Sequence, residues 1–238
     1  FRLSLLLFIH VHFPNSKPMK TFTLLAMLLL TACATNSEVE KRLLAMYEQD
    51  QSIRHQQLAL TKAITTEGQT YLIDSLIQVI DIQQQIDQRN ATFVDSLLQA
   101  GLPKELSDSA YHAIWIIIDH ANLDMQEKHL SYIRQMAEER KIKFKEYATL
   151  YDRIEMKNNR PQRYGTQIIQ FGTSNSPQLY LWPVEDAYKL DSLRLQVGFD
   201  SISTYLDEVS KTMGTKANYN PSLTIRELNA MRERYNIK

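Results

Sequence analysis

The feature that most constrains the fold is the shortage of residues that interrupt a helix. The chain of 238 residues contains only six glycines and seven prolines. Neither residue occurs between Pro103 and Pro161. Because both residues break or end helices, long stretches without them predict a helical protein when apolar residues recur at helical spacing.

Apolar periodicity and helix end signals predict the order of the elements. The predicted helices are a segment starting at Ser37, residues 70–100, a segment capped by Ser107, and residues 124–140, 143–158, 186–196, 201–212 and 221–234. Gly101 followed by Pro103 provides a clear stop after the second helix. The segment YHAIWIIIDHA, after Ser107, is apolar nearly all round, which predicts the central buried helix.

The pattern changes after Pro161. Residues 167–171, QIIQF, and 178–182, QLYLW, are short β-type runs separated by GTSNSP. Two such runs around a glycine-containing loop predict a β-hairpin. The predicted fold class is therefore mainly α, a single helical domain with one small β-hairpin near residues 167–183.

The start of the chain has a pattern typical of bacterial lipoproteins. From Met19 it reads MKTFTLLAMLLLTAC, with one basic residue, an apolar run too short to span a bilayer, and small residues before Cys33. Its end, LTAC, resembles a lipobox. We interpret residues 19–32 as a signal peptide, Cys33 as the lipidation site, and residues 1–18 as an upstream extension or part of a longer leader. The alternative is a chance apolar stretch ending in a buried cysteine.

This interpretation sets the expected organisation and location. Cys33 is the only cysteine, so no disulfide can form within the chain. We expect a short tether over residues 33–37, a helical domain over 38–213 and a C-terminal tail with a short helix over 214–238. The expected location is the cell envelope, at the outer membrane, with the membrane as a partner through the N-terminal lipid.

The charge balance speaks against nucleic acid as a partner. The chain has 27 basic and 27 acidic residues, and the charged residues of the leader are all basic. The part from Cys33 onward is therefore slightly acidic and lacks the net positive charge of nucleic-acid-binding domains.

Two polar groups on helices are candidates for function. Asp50 and Arg54 are four residues apart, so they share a helix face as a functional pair or an ordinary ion pair. His120 lies at helical spacing from the apolar Ile116 and Ile117, near a helix C-terminus. It is either a proton-transfer group or a core histidine bonded to a carbonyl or carboxylate.

No metal site or cofactor is predicted. His120, Asp124 and Glu127 would share a face only if one helix ran through them, and an ordinary solvated helix turn explains the same spacing. The sequence contains no HExxH, P-loop, GxGxxG or GxSxG motif.

A third polar group surrounds the end of the predicted fifth helix. Asp152 precedes a local cluster of basic residues, Arg153, Lys157, Arg160 and Arg163. Such a cluster suits a carboxylate or phosphate, and it also suits the dipole at a helix C-terminus. Further along, Asp191 and Arg194 are spaced to pair on the next helix.

The order of these pieces resembles an uncharacterised bacterial family of unknown function, many of whose members look like lipoproteins of Bacteroidota. The resemblance covers roughly residues 40–210. It rests on DQxxR from Asp50, HANLDxQEK from His120, DRI from Asp152, PQxYGTQ from Pro161, PVED from Pro183 and DxxR…VGF from Asp191. The family often has Asp where this chain has Asn122. The resemblance groups these residues and implies no reaction.

We therefore predict that the motif residues meet in one polar cleft. The predicted lining is Asp50, Arg54, His120, Gln126, Arg153, Gln162, Tyr164, Thr166 and Gln167. Arg54 and Arg153 would hold an anionic group, and His120 with Asp50 or Asp152 would carry any proton transfer. The alternative is a buried polar network that fixes the hairpin on the helices.

Three functions follow from these expectations. The first is a lipid-anchored binding module of the envelope, with a small anionic ligand or an envelope protein as its partner. The second is an envelope hydrolase or lyase that uses His120 as a general base. The third is a purely structural lipoprotein, in which the motif residues only stabilise the fold.

Overall fold

The computed structural model describes the backbone of residues 21–103, 105–173 and 176–236. Within these ranges, side chains are described from Ser37 onward, apart from Thr66, Thr173 and Asn236. The proposed upstream extension, the start of the leader and the Cys33 side chain lie outside these described residues. The chain divides into two compact units, Phe1–Val39 and Glu40–Lys238.

The predicted mainly-α fold class is confirmed. The helices are α1 (Thr21–Glu67), α2 (Ile73–Ala100), α3 (Asp108–His120), α4 (Leu123–Glu138), α5 (Phe144–Lys157), α6 (Leu190–Gln196), α7 (Ile202–Met213) and α8 (Ile225–Asn236). A turn of 3₁₀ helix, Thr70–Leu72, precedes α2. No helix within the described part of the chain is both long enough and apolar enough to cross a membrane.

Short polar side chains start α3 and α4, and the sequence predicted the first of these two caps. The Ser107 hydroxyl accepts a hydrogen bond from the backbone N–H of Ala110 at 3.3 Å. Asn122 does the same for Met125, at 3.0 Å, and so begins α4. Because Asn122 caps a new helix just after His120, α3 and α4 are separate helices. His120 and Glu127 therefore do not share a face of one continuous helix.

Helix α3 is the buried centre predicted from its composition. Ala110, Ala113, Ile114 and Ile118 are each completely buried. The opposite side of α3 is only partly covered and carries His112 near its start and His120 at its end. This placement puts two histidines at the boundary between the core and the surface.

The small sheet contains the predicted hairpin and one further strand. Strand β1 (Ile168–Thr173) pairs antiparallel with β2 (Ser176–Leu181). The third strand, β3 (Ala217–Asn218), pairs parallel with β2 and is only two residues long. A strand that short gives no alternating pattern, so the sequence did not indicate it.

Two apolar clusters attach the sheet to the surrounding helices. The first joins Phe171 and Trp182 to Leu228 of α8. The second joins Leu181 of β2 to Leu190 of α6 and Ile202 of α7. Consecutive residues of β2, Tyr180 and Leu181, belong to different clusters, so helices cover both faces of this small sheet.

Candidate functional site

Hydrogen bonds divide the candidate residues into three networks. One joins α1, α2 and the end of α3 around His120. A second links the end of α3 to α4 and α5 around Asp119. The third surrounds Asp152 and the loop before β1. Among the bonds of the described residues, none joins Asp152 to His120, and the single shared cleft that we predicted is replaced by these separate arrangements.

The first network is built on a buried carboxylate and a partly exposed imidazole. Asp50 of α1 lies 2.9 Å, through Oδ1, from Nδ1 of His120. The Asp50 side chain is 1% exposed and that of His120 is 19% exposed. A carboxylate at Nδ1 fixes the orientation of the ring, and it leaves Nε2 as the nitrogen available for another partner.

Further contacts hold this couple in place. Gln51 donates from Nε2 to Asp50 Oδ2 at 2.7 Å. Arg54 places Nη1 3.4 Å from Asp50 and donates from Nη2 to both oxygens of Asp87, at 3.0 and 3.1 Å. Burial raises the pKa of Asp87, and the hydrogen bond from Arg54 opposes that rise. The predicted Asp50–Arg54 pair thus exists as part of a larger network with Asp87, which the sequence did not single out.

His120 lines a cavity of about 390 Å³, which we call the His120 cleft. The cleft lies between α2 and the α3–α4 junction. Its lining consists mainly of hydrogen-bonding side chains and small apolar ones: Gln84, Asp87, Gln88, Ala91, Thr92, Asp95, His120, Ala121, Asn122 and Met125. Its volume falls in the range of small-ligand sites.

Another carboxylate of the cleft lining, Asp95, is bonded to a lysine and a histidine behind it. Asp95 of α2 accepts hydrogen bonds through Oδ1 from Lys128 Nζ at 2.6 Å and from His129 Nε2 at 2.8 Å. The bond from Lys128 is the main cause that lowers the pKa of Asp95 to about 2. Asp95 is therefore ionised at any physiological pH, and Lys128 balances part of its charge.

The second network combines two buried residues, Asp119 and Gln126, with two cations that reach the surface. Arg153 donates from Nε to Asp119 Oδ1 at 2.9 Å, and Asp119 is 3% exposed. Gln126 donates to the Asp119 carbonyl at 2.6 Å and accepts from Lys157 Nζ at 2.9 Å. Burial lowers the pKa of Lys157, and the nearby Arg153 lowers it further. Gln126 and Arg153 thus tie α5 to the α3–α4 junction.

The third network fixes the RPQRYGTQ loop to α5 through one carboxylate. Asp152 is fully buried and accepts hydrogen bonds from the backbone N–H groups of Arg163, Tyr164 and Thr166 at 2.8 to 3.1 Å. The Thr166 hydroxyl donates to the same carboxylate at 3.0 Å. Burial raises the pKa of Asp152 to about 6, and these hydrogen bonds oppose a larger rise.

The amide side chains of the loop act as substitutes for backbone. Gln162 is completely buried, donates from Nε2 to the carbonyls of Gln167 and Trp182, and accepts from the Gln167 N–H at 2.8 Å. Gln167 donates to the Thr166 hydroxyl at 3.0 Å. Because every polar atom of Gln162 is used inside the fold, the contacts assign it to the scaffold.

The remaining space around the loop is closed by Gly165 and Arg194. A Cβ atom at Gly165 would lie 3.1 Å from Leu190 Cδ1, at a φ of 66°. Arg194 is 2% exposed and donates from Nη1 to the carbonyls of Tyr164 and Gly165, at 2.8 and 2.9 Å. Arg194 does not form the predicted pair with Asp191, which instead accepts from the Ile202 N–H at 2.7 Å. The spacing of three residues along a helix predicted a pair. The buried guanidinium of Arg194 instead uses its N–H donors on carbonyl groups of the adjacent loop.

The comparisons with known proteins identify a family and add no activity. The sequence profile of a family described as a family of unknown function (DUF6624) matches residues 37–218. A search among curated proteins and a search among solved structures each gave no match. The chemistry must therefore be inferred from the geometry of the chain itself.

Proposed function

Since the chain belongs to this family of unknown function (DUF6624), which supplies no activity, we propose a function from the residues at the His120 cleft. The protein is a lipid-anchored binding module of the cell envelope, and its ligand is a small polar molecule that carries amino or hydroxyl groups. The observation that carries this proposal is the contact of 2.9 Å between the buried Asp50 and the partly exposed His120 at the cleft wall.

The chemistry of the cleft lining favours a ligand that donates hydrogen bonds. Asp87 and Asp95 contribute carboxylates, whose oxygens can accept further hydrogen bonds beside those from Arg54 and Lys128. Gln84, Gln88 and Thr92 contribute neutral polar groups. No lysine or arginine is among the described residues that line the cleft. An ammonium or hydroxyl group is thus better matched to this surface than an anion.

The contacts of the arginines weaken our expectation of an anionic ligand. Arg54 is paired with Asp50 and Asp87, and Arg153 is paired with Asp119. An anion would have to displace one of these carboxylates, and separating a partly buried ion pair is costly. We therefore replace the anionic ligand by a cationic or neutral one in the proposal.

Three sugars of the same ring size test the charge preference of the cleft. Titration calorimetry with glucosamine, glucose and glucuronate is expected to give the tightest binding for the amine and the weakest for the acid. Asp87→Asn and His120→Gln should each weaken glucosamine binding roughly tenfold. Asp207→Asn removes a comparable charge from an exposed position of α7 and should change nothing. Preferred binding of glucuronate, or no binding of any of the three, would overturn this ligand class.

The membrane anchor is proposed from the sequence pattern around Cys33. The anchor is tested independently of the cleft, by intact-mass measurement and membrane fractionation in a bacterial host. The wild-type chain should have the mass of an acylated Cys33 and sediment with membranes, whereas Cys33→Ser should be released. Unacylated, soluble wild-type protein would contradict the anchor and leave the cleft proposal intact.

The same His120 couple favours one second candidate, an envelope hydrolase or lyase. With Nδ1 bonded to Asp50, the imidazole of His120 can take a proton through Nε2 from water or from a substrate group, and Asp50 would stabilise the resulting cation. Asp152 is no longer a partner in this candidate because its oxygens are occupied by the loop.

Catalysis is tested by turnover of amide and glycoside substrates typical of the envelope. If His120 is the general base, His120→Ala abolishes turnover and Asp50→Asn lowers it by roughly a thousandfold or more. His55→Ala, at an exposed position of α1, provides the matched control. Turnover that persists in His120→Ala would eliminate this mechanism.

A further inference from the structure

A second cavity lies beside the first half of α3. Its volume is about 1120 Å³, and it is bounded by α1, the start of α3, the turn between α4 and α5, and Val197 with Gly198. None of the candidate residues discussed above lines it. We propose that this cavity, here called the α4–α5 groove, binds an amphiphilic anion with an aliphatic chain.

The apolar part of the groove offers a surface for the chain of such a molecule. Leu44 and Tyr47 come from α1, Phe144 from the start of α5, and Val197 from the end of α6, and each is only partly buried. Although these side chains come from separate elements, they line the same cavity and give it an apolar surface. Covering that surface with an alkyl chain would remove apolar area from water, which is favourable at about 25 cal/mol per Å².

The polar part of the groove contains four carboxylates and four cations, and the cations lie together in the α4–α5 turn and the first turn of α5. Arg140, Lys143 and Lys145 line the cavity and form no ion pair with another described residue. Lys141, the remaining cation of this turn, is paired with Glu139 at 2.6 Å. Three cations without a carboxylate partner, close together in sequence and at one wall, match the headgroup of an anion.

The carboxylates on this wall are already used. Glu138 is bonded to Arg134 at 2.8 Å. Glu146 is bonded to His112 Nδ1 at 2.8 Å and to the Lys143 N–H at 2.8 Å. The remaining acids, Glu48 and Asp108, come from α1 and α3. The headgroup is therefore placed at the turn, with the chain extending over the apolar residues.

Binding of sodium dodecanoate, below its micelle concentration, tests the proposal. The full chain carrying Cys33→Ser is used, so that no acyl group of its own competes. Titration calorimetry should show saturable binding of dodecanoate and much weaker binding of dodecyltrimethylammonium, which has the same chain and the opposite charge. The double variant Lys143→Gln with Lys145→Gln should weaken dodecanoate binding roughly tenfold.

Matched variants separate specific binding from general attraction. Lys211→Gln with Lys216→Gln removes the same charge from exposed positions and should leave the affinity unchanged. Phe144→Ser should weaken binding through the chain, and thermal melting confirms that this variant is folded. Three results would each overturn the proposal: no saturable binding, equal loss in both lysine pairs, or equal binding of the two amphiphiles.

Discussion

Asp50 and Asp152 are both buried carboxylates from helices, and their surroundings differ in one respect. Asp152 receives its hydrogen bonds from the backbone and hydroxyl of one loop, and none of its partners is an imidazole or a cation. Asp50 receives its contacts from the side chains of Gln51, Arg54 and His120, and one of these lines a cavity. A carboxylate that binds backbone fixes a chain path, whereas one that binds an imidazole at a cavity can affect what enters it.

The largest effect is expected at Asp152. Asp152→Asn keeps the shape of the side chain but replaces one acceptor oxygen by an amide that faces N–H and O–H donors. We expect the free energy of unfolding to fall by about 3–5 kcal/mol, because several buried donors lose their acceptor. Urea denaturation measures this, with the exposed Asp207→Asn as the control. A loss no greater than in the control would show that the loop does not depend on this carboxylate.

A somewhat smaller effect is expected at Arg194. Arg194→Met retains much of the apolar stem but leaves the carbonyls of Tyr164 and Gly165 without their donor. The free energy of unfolding should fall by about 2–3 kcal/mol, which is the usual cost of leaving buried polar groups without a hydrogen-bond partner. Because the His120 cleft is a separate network, glucosamine binding should persist in Arg194→Met. If this variant lost binding while still folded, the separation of the two regions would be wrong.

The raised pKa of Asp152 predicts a dependence of stability on pH. Its pKa in the folded protein is about 6, above the ordinary value of 3.8. The folded state therefore binds the proton more tightly, so the stabilisation is present below the ordinary pKa and is lost as pH rises through 6. Between pH 5 and 7 this group should lower the free energy of unfolding by about 1 kcal/mol. Asp152→Asn should lack this component in paired urea titrations, and identical pH slopes would contradict it.

The smallest effect on stability is expected at His120. The side chain is partly exposed, and His120→Gln retains a polar group near Asp50. The free energy of unfolding should fall by no more than about 1 kcal/mol, while glucosamine binding weakens roughly tenfold. Thermal melting and calorimetry on the same sample compare the two quantities. A large loss of stability together with unchanged binding would show that His120 has a structural role, like Asp152.

The sequence predicted the helices well because their signals are local. The Ser107 cap, the stop at Gly101 and the apolar face of α3 depend on residues within a few turns of each other. The hairpin was predicted for the same reason. The third strand, β3, depends on pairing with β2 across a long connection, so no local pattern indicates it.

The candidate residues were predicted in type, but their grouping was only partly correct. His120, Asp50 and Arg54 do meet. Asp87 and Asp95 complete the cleft, and their positions on α2 resemble those of ordinary exposed acids in the sequence. PQxYGTQ is one of the motifs that support the family resemblance, yet its glutamines are used inside the fold. The motifs showed which residues belong together in the sequence. Whether such residues stabilise the fold or contact a ligand depends on their burial and on their hydrogen-bond partners, which only the structure gives.

The position of α8 has a practical consequence for handling the protein. The family match ends at residue 218, before α8 begins at Ile225. Leu228 of that helix is completely buried against Phe171 and Trp182. A fragment trimmed to the matched region would uncover these aromatic side chains beside a sheet, and such a surface promotes aggregation. Soluble expression therefore requires the chain to extend through α8.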